Sequence, residues 1–396
     1  MIPAEGIVTP PHWKGTSRLT RHQLGQILAR TMAAKLWLQV EVVGCPTVCR
    51  HCWAQGVPYP AMPVDKVAWV LEQTHRFCDN HGLGFGAYPM HELAAHPQAA
   101  EVLRLFADHV GAAEFEPLAT TGVPLATRQD WQQLLAAAAG LGTTTVWVAF
   151  HGLGVVHDRQ VNRPGAFSET CLAIQRAHAV GLRAGANVFL TRTNVPQAER
   201  LLGVLQRLEI DQMWWGPATY YPTARGRRNE RLRPALSELL PLADRIRTLS
   251  PFDHDVWASL AAHTEAAWTR RALAGDWPPW TRHAGGVLEL VCRPNLDLHT
   301  GTAGWYCQRH GNLRTDGPRA ALADALEEGG RSSEALWFGP DPLPSVAELA
   351  ARHGDPEGQG VHFSADSVRS LWLDRAQPAR RTATPGSRQR PAPPPR

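Results

Sequence analysis

Three cysteines within eight positions are the chemically most distinctive feature of the sequence. Cys45, Cys49 and Cys52 follow an apolar run in the stretch VEVVGCPTVCRHCWAQG, residues 41–57. Because they follow a predicted strand and lie in a loop, their thiolates can converge without sharing one helix face. Three thiols this close together indicate a metal or metal-cluster site.

The number of thiols bears on which metal is bound. A structural zinc ion usually takes four ligands from two separated pairs, and no second pair is present. His51 is poorly placed to complete a zinc site, because Cys52 beside it would bind the same metal while adjacent side chains diverge. A four-iron cluster offers four corners, and three thiolates leave one iron open to a ligand from outside the protein.

Composition bounds the class of protein that carries this site. A chain of 396 residues with 44% hydrophobic residues can bury a large core. The N-terminus has no basic patch leading into an apolar stretch, and no run of 18 apolar residues occurs. Seven cysteines, three of them crowded together, argue against a disulfide framework. We therefore expect a cytoplasmic protein with no membrane partner.

The net charge of +4 lies mainly in the tail. Residues 376–396 hold five arginines and no acidic residue, so the rest of the chain is nearly neutral and lacks the basic surface of a nucleic-acid-binding protein. The tail is rich in Pro and Arg and has few large apolar residues, so we expect it to be disordered. No specific nucleic-acid partner is expected.

The elements that must position the cysteines form a βα series. Six short apolar runs alternate with stretches of helical period, which predicts an α/β fold with a parallel sheet. In the first helical stretch Val67, Leu71, Thr74 and Cys78 share one face, so Cys78 is interpreted as a core residue. The predicted strands cover residues 36–43, 83–88, 113–119, 144–150, 183–190 and 211–216.

After Pro222 the regular alternation stops. We divide the chain into an N-terminal extension, a core domain, a smaller α+β extension, a terminal segment and the tail. Within the α+β extension, residues 287–313 alternate in hydrophobicity around a Gly-containing turn and predict a β-hairpin. The proposed bounds are residues 1–34, 35–230, 231–345, 346–375 and 376–396.

The spacing C-x-x-x-C-x-aromatic-C after the first strand resembles the signature of the radical S-adenosylmethionine superfamily, with His51 at the aromatic position. The resemblance covers roughly residues 36–230. It implies a partial (β/α)6 TIM-like barrel with a [4Fe-4S] cluster bound by Cys45, Cys49 and Cys52. In this family the open iron binds S-adenosyl-L-methionine, and reductive cleavage gives a 5′-deoxyadenosyl radical that abstracts a substrate hydrogen. Catalysis then needs no catalytic residue beyond the cluster ligands.

The resemblance also implies cofactor contacts. The stretch Gly86, Ala87, Tyr88, Pro89 stands where the family has a Gly-Gly-Glu-Pro turn after the second strand. TTGVPL, residues 120–125, resembles the Thr-Asn-Gly segment after the third strand. Arg163, rather than Arg159, matches the family Arg that meets the cofactor's carboxylate, and Asn187 on the fifth strand could contact the ribose. The cofactor-binding set implied is His51, Gly86, Ala87, Tyr88, Arg163 and Asn187.

The extension resembles the SPASM and twitch groups, in which a Cys-containing hairpin precedes a Gly-Asn-aliphatic turn. Gly311, Asn312 and Leu313 match that turn. Only Cys292 and Cys307 remain as ligands, which is fewer than an auxiliary cluster usually uses. We therefore expect a degenerate extension that serves as a lid or substrate platform.

Two functions follow from these patterns. One is a radical S-adenosylmethionine oxidoreductase or transferase that modifies a peptide or a small molecule and is supplied with electrons by a flavodoxin or ferredoxin. Tyr220 and Tyr221, just past the sixth strand, are candidates to border its substrate pocket. The alternative is a non-catalytic iron–sulfur protein for electron transfer or partner binding, since the Gly86–Pro89 stretch and Ala149 depart from the family pattern.

Overall fold

A computed structural model describes residues 35–52, 54, 56–110, 118–249, 253–278, 287–302, 305–328 and 344–376. The proposed extension of residues 1–34 lies outside these residues, and so does the tail from residue 377. In the described part, no helix is both long enough and apolar enough to span a membrane.

Six strands and the helices between them form the βα series that the sequence predicts. The strands are β1 (Lys35–Val43), β2 (Gly84–His91), β3 (Leu118–Thr120), β4 (Thr145–Phe150), β5 (Arg183–Leu190) and β6 (Gln212–Pro217). The helices are α1 (Val64–His81), α2 (Ala99–Val110), α3 (Val123–Thr127), α4 (Trp131–Gly140), α5 (Val155–Val161), α6 (Ala166–Ala179) and α7 (Ala198–Arg207). Short 3-10 turns cover Leu93–Ala95 and Val195–Gln197. The third predicted strand begins at residue 113, and its first five residues lie outside the described part.

The later part of the chain adds three strands and seven helices to the described structure. The strands are β7 (Val287–Cys292), β8 (Asp297–Thr302) and β9 (Trp305–Asn312). The helices are α8 (Ala224–Arg231), α9 (Leu236–Leu249), α10 (His254–Ala258), α11 (Glu265–Leu273), α12 (Pro318–Glu328), α13 (Val346–His353) and α14 (Ala365–Ala376). A 3-10 turn covers Leu260–His263.

The strands form two sheets, with the orders β2-β1-β7-β8-β9 and β3-β4-β5-β6. Strands β1 to β6 pair only in parallel, and the described residues include no pairing between β2 and β3, so the barrel is partial and open. The predicted hairpin exists, since β7, β8 and β9 pair antiparallel. In addition, β7 pairs in parallel with β1, with Leu38 opposite Leu290. The extension therefore continues the barrel sheet, which the sequence does not predict.

Alternation along the strands separates a helix-packed face from a concave face. Leu36, Leu38 and Val40 of β1 lie in the main hydrophobic core with Val67 and Cys78 of α1, all fully buried. The prediction that Cys78 is a core residue is confirmed. The intervening residues face the concave side. They include Trp37 and Glu41 on β1, Trp147 on β4, Asn187 and Phe189 on β5, and Trp214 on β6.

Glycines opposite tryptophans make room on this concave face. Gly86 pairs with Trp37, and Gly185 pairs with Trp147. A Cβ atom on Gly86 would lie 2.5 Å from the Trp37 ring, and one on Gly185 would lie 2.5 Å from the Trp147 ring. Each ring therefore covers the backbone of its partner glycine, and the two indoles fill the concave side of the strands.

We predict that Gly185→Ala destabilises the fold by about 1–3 kcal/mol, because the added methyl overlaps the Trp147 ring. Gly203→Ala in α7 is the matched control. Its nearest neighbour would be a guanidinium nitrogen of Arg207 at 3.6 Å, and alanine in a helix is favoured by about 0.5–1 kcal/mol. Denaturant unfolding of the two variants measures the difference. Equal stability of the two variants would contradict the packing described here.

Candidate functional site

The cysteine loop begins directly after β1, at the end of the sheet where the parallel strands finish. Gly44 and Cys45 donate backbone hydrogen bonds to the carbonyls of Tyr59 and Val57, at 3.4 and 3.1 Å, which closes the loop at its base. A Cβ atom on Gly44 would lie 2.2 Å from the Tyr59 nitrogen, so only glycine permits this approach. The returning segment thereby holds Cys45 at the edge of the sheet.

The three thiols gather around small groups. The Thr47 hydroxyl lies 3.1 Å from the Cys45 sulfur and 3.4 Å from the Cys49 sulfur. The position of a Cβ atom on Gly56 would lie 3.1 Å from the Cys45 Cβ and 3.8 Å from the Cys52 sulfur. The Thr47 hydroxyl therefore lies between the Cys45 and Cys49 sulfurs, and Gly56 packs against Cys45 and Cys52. The structure places Cys45, Cys49 and Cys52 in one loop, although no three His, Cys, Asp or Glu side chains among the described residues converge closely enough to hold a metal ion.

Burial controls the protonation of these thiols. It raises the pKa of Cys45 to about 12, with the nearby Glu92 adding to the effect, and the pKa of Cys49 to about 11. Both groups are therefore neutral thiols at pH 7 before a metal binds. Because the ligand form is the thiolate, metal binding at this loop must release protons.

His51 packs into a row of rings that crosses the open end of the strands. Its ring centroid lies 4.0 Å from that of His151, which stacks on Phe189 at 5.4 Å, and Phe189 meets Trp214 at 5.4 Å. Burial lowers the pKa of His51 to about 4, so the ring is neutral at pH 7. Its Nδ1 is buried and has no hydrogen-bond partner among the described residues. Sequence analysis named only His51 of these rings as a contact residue.

The predicted turn after the second strand is placed wrongly. Gly86, Ala87 and Tyr88 lie inside β2, which continues to His91. Gly86 leaves room for the Trp37 ring, which packs against its backbone. The residues after the strand are Glu92 and the turn Leu93–Ala95. An acidic residue does therefore follow the strand, four positions beyond Tyr88.

Glu92 connects the second strand to the third. Its carboxylate accepts a hydrogen bond of 2.7 Å from the Thr120 hydroxyl and one of 2.6 Å from the backbone N–H of Thr121. Burial raises the pKa of Glu92, whereas these hydrogen bonds lower it. The TTG segment lies after the third strand as predicted, with Gly122 at φ 84° preceding α3. Sequence analysis missed Glu92 because it ended the strand too early.

Arg163 lies between α5 and α6 and already has a partner. Its guanidinium donates two hydrogen bonds of 2.7 Å to the carboxylate of Glu169, and this pair raises the pKa of Arg163. The segment is nonetheless close to the cysteine loop, since Arg50 donates its backbone N–H to the carbonyl of Gln160 at 2.9 Å. Asn187 lies on the concave side of β5, opposite Ala149 and Trp214, as predicted.

Tyr220 and Tyr221 are packed against the C-terminal helix α14. The Tyr220 hydroxyl donates to Asp374 at 2.6 Å, and Tyr221 lies in a cluster with Trp268 and Trp372. Both tyrosines are at most 9% exposed. The structure thus directs both side chains into packing with α14 and its neighbours, and a substrate contact of these tyrosines stays a prediction.

A second polar cluster, absent from the sequence predictions, joins the barrel to the extension. Glu41 of β1 is 3% exposed, accepts a hydrogen bond from the Tyr306 hydroxyl of β9, and lies 3.3 Å from the Nε2 of His91. The guanidinium of Arg293 lies 4.6 Å from the Tyr306 ring centroid and 3.9 Å from Glu41. A charged residue inside the apolar run VEVV was the signal that could have identified this cluster.

Of the two remaining cysteines, Cys292 and Cys307, the structure describes only the side chain of Cys292. Cys292 is fully buried in the main core, and burial raises its pKa to about 12. The side chain of Cys307 lies outside the described part. The Gly311-Asn312-Leu313 turn contributes to the packing of the fold. The Asn312 side chain donates a hydrogen bond of 2.7 Å to the Asn295 carbonyl, and Leu313 is fully buried.

Comparisons with known proteins agree with this fold. No family model and no curated protein matches the sequence. The structure is similar to Streptococcus suis SuiB bound to precursor peptide SuiA, with 12% identity, a TM-score of 0.51, and 78% of this chain and 70% of that chain covered. It is also similar to native anSMEcpe with bound AdoMet and Cp18Cys peptide, with 10% identity, a TM-score of 0.50, and coverage of 88% and 98%.

A tagged form of anSMEcpe with bound AdoMet gives 11% identity, a TM-score of 0.50, and coverage of 88% and 94%. At this identity the likeness concerns the fold. The chain has an open, partial α/β barrel similar to the folds of SuiB and anSMEcpe.

We predict that Tyr306→Phe lowers the free energy of unfolding by about 1.5–3 kcal/mol, because it removes a hydrogen bond to the buried carboxylate of Glu41. Tyr59→Phe is the matched control, since its buried hydroxyl has no hydrogen-bond partner in the described part of the chain. Denaturant unfolding compares the two variants. If Tyr306→Phe is as stable as Tyr59→Phe, the contact does not hold the extension to the barrel.

Proposed function

We propose that this protein is a radical S-adenosylmethionine enzyme that modifies a peptide. One observation carries the proposal: the C-x-x-x-C-x-x-C loop lies directly after the first parallel strand, on a barrel of the radical S-adenosylmethionine type. The carboxyl ends of parallel barrel strands are the usual location of active sites. The spacing of the cysteines, the position of their loop and the fold therefore all support radical S-adenosylmethionine chemistry.

The residues present fit a [4Fe-4S] cluster better than a single metal ion. No group of three His, Cys, Asp or Glu side chains in the described structure converges closely enough for one metal ion. The donor set is three thiols with no second cysteine pair, which is one ligand short of a usual structural zinc site. Cys45, Cys49 and Cys52 would hold three irons of a four-iron cluster, and one iron would be left for a ligand from outside the protein.

The cluster, when bound, supplies the electron that cleaves S-adenosyl-L-methionine to methionine and a 5′-deoxyadenosyl radical, which abstracts hydrogen from the substrate. The protein supplies position and exclusion of water. The row of His51, His151 and Phe189 places aromatic side chains beside the cysteine loop. Asn187 faces the same concave side and could bind the ribose.

Arg163 is our candidate for binding the cofactor's carboxylate, although it is held by Glu169. Its bonds to Glu169 use Nε and one Nη atom, so the other N–H groups of the guanidinium can still donate. Glu169 then fixes the orientation of Arg163. Charge-assisted bonds from a pre-oriented guanidinium are among the stronger polar contacts in proteins.

A peptide substrate is supported by two of the similar structures, SuiB bound to precursor peptide SuiA and anSMEcpe with bound Cp18Cys peptide. The extension is joined to the barrel through β7 and through the Tyr306–Glu41 contact, so it lies next to the strand that precedes the cysteine loop, and we assign it the role of a substrate platform. Each turnover also needs a low-potential one-electron donor, for which a flavodoxin or ferredoxin is suitable.

We predict that replacing Cys45, Cys49 and Cys52 together by Ala removes the iron and abolishes release of 5′-deoxyadenosine. The matched control is Cys292→Ala, since a core cysteine should leave about four irons per chain. Iron and sulfide analysis and chromatography of 5′-deoxyadenosine, after anaerobic reconstitution, measure both effects. Full iron retention in the triple variant would exclude the site. An intact cluster with no 5′-deoxyadenosine under strong reductant would instead favour a non-catalytic iron–sulfur protein.

We predict that Arg163→Ala weakens S-adenosyl-L-methionine binding by about 10- to 150-fold, corresponding to loss of a charged hydrogen-bonded pair of about 1.5–3 kcal/mol. Arg163→Lys should restore only part of the affinity, because lysine lacks the planar fork. Arg104→Ala on the exposed face of α2 is the control for a lost positive charge. Calorimetric titration of the reconstituted variants gives the affinities. Unchanged binding in Arg163→Ala would contradict the role of this residue.

A further inference from the structure

A cleft lined by arginines lies beside the cysteine loop. It has a volume of ≈ 760 Å³ and lies between the cysteine loop, α5 and α8. Its charged lining residues are Arg50, Arg159, Arg225 and Arg228. The other lining residues are Val48, Val156, Gln160, Asn162, Thr193, Ala224 and Leu232. No carboxylate is among the lining residues.

None of the four arginines has an ion pair within the described part of the chain, and Arg50, Arg159 and Arg228 are exposed. This contrasts with Arg227 and Arg233 nearby, which pair with Asp374 and Glu230. Unpaired like charges that converge on one cleft repel each other, and an anion bound between them would relieve that repulsion.

The fourth arginine connects the cleft to the cysteines. Arg225 donates a hydrogen bond of 2.8 Å to the carbonyl of Gly56, at the end of the cysteine loop. A ligand in the cleft would therefore lie close to the cysteine site.

Size and lining indicate the class of ligand. The volume falls within the range of about 300–1,000 Å³ that is typical of pockets for small ligands, so a short segment fits and a folded domain does not. The lining contains no aromatic side chain on which a nucleic-acid base could stack. Arginine forks bind carboxylates in two-pronged geometry.

We propose that this cleft binds an acidic segment of the peptide substrate and holds the substrate beside the cysteine site. The proposal rests on the proposed function and deepens it, because it names the charge of the substrate. Binding of the acidic segment in the cleft is then independent of the residue that is modified. Peptides that share the acidic segment can therefore differ at the modified residue.

The test uses the full-length protein without added cofactor and a fluorescein-labelled eight-residue peptide with four Glu residues. Fluorescence anisotropy gives the dissociation constant. The double variant Arg50→Ala with Arg228→Ala should bind the peptide at least about tenfold more weakly, since two charge-assisted contacts are lost. Arg104→Ala with Arg319→Ala removes the same charge from exposed positions of α2 and α12 and should bind as the wild type does.

Further binding measurements distinguish an acidic peptide from other ligands of the cleft. The same peptide with Gln in place of Glu should not bind. Equal weakening in both double variants would show a general charge effect and overturn the proposal, and so would tighter binding of a labelled single-stranded RNA octamer. Displacement of the peptide by S-adenosyl-L-methionine would show that the cleft is the cofactor's own site and would also overturn it. Because no step needs a cluster, failure of radical chemistry leaves this measurement interpretable.

Discussion

The pairing of β1 on both of its edges is the constraint on which the rest of the site depends. β1 forms parallel ladders with β2 on one side and with β7 on the other. A strand held by hydrogen bonds along both edges has little freedom, so the loop that starts one residue after it begins from a fixed point. The cysteines, Glu41 and the segment returning at residues 57–59 are all positioned relative to this strand.

The pairing of β1 with β7 also positions the extension. Because β7 adds to the edge of β1, the antiparallel β7–β9 hairpin lies alongside the barrel, and Tyr306 reaches the buried Glu41. Burying a carboxylate is costly unless it accepts hydrogen bonds. Glu41 therefore stabilises the contact only while Tyr306 and His91 remain in place, and the contact attaches the extension to the strand that precedes the cysteine loop.

The sequence predicted the elements of the barrel well because each strand is a compact apolar run between helices of clear periodicity. It failed at the end of β2, because the resemblance of Gly86–Pro89 to a turn motif placed the turn inside a strand that continues to His91. A proline is tolerated there because β2 pairs on one side only in the described structure, so no ladder bond is lost. That error placed the predicted turn on Gly86 rather than next to Glu92. The pairing of β1 with β7 joins residues some 250 positions apart, and no local pattern encodes it.

Side-chain partners were the least predictable part of the site. The pairing of Arg163 with Glu169 and the packing of Tyr220 against Asp374 depend on tertiary structure alone. The near-neutral net charge of the chain outside the tail likewise gave no indication of the arginines that converge on the cleft beside the cysteines. Composition averages over the surface, whereas the fold brings together residues from four separate segments.

The central claim is that three thiols hold a cluster with one iron open to S-adenosyl-L-methionine. Electron paramagnetic resonance of the reduced, reconstituted full-length protein tests it most directly. We expect the signal of one four-iron cluster, with g values that change when S-adenosyl-L-methionine is added, because the cofactor binds the open iron. A cluster signal whose g values stay the same at saturating S-adenosyl-L-methionine would contradict the claim.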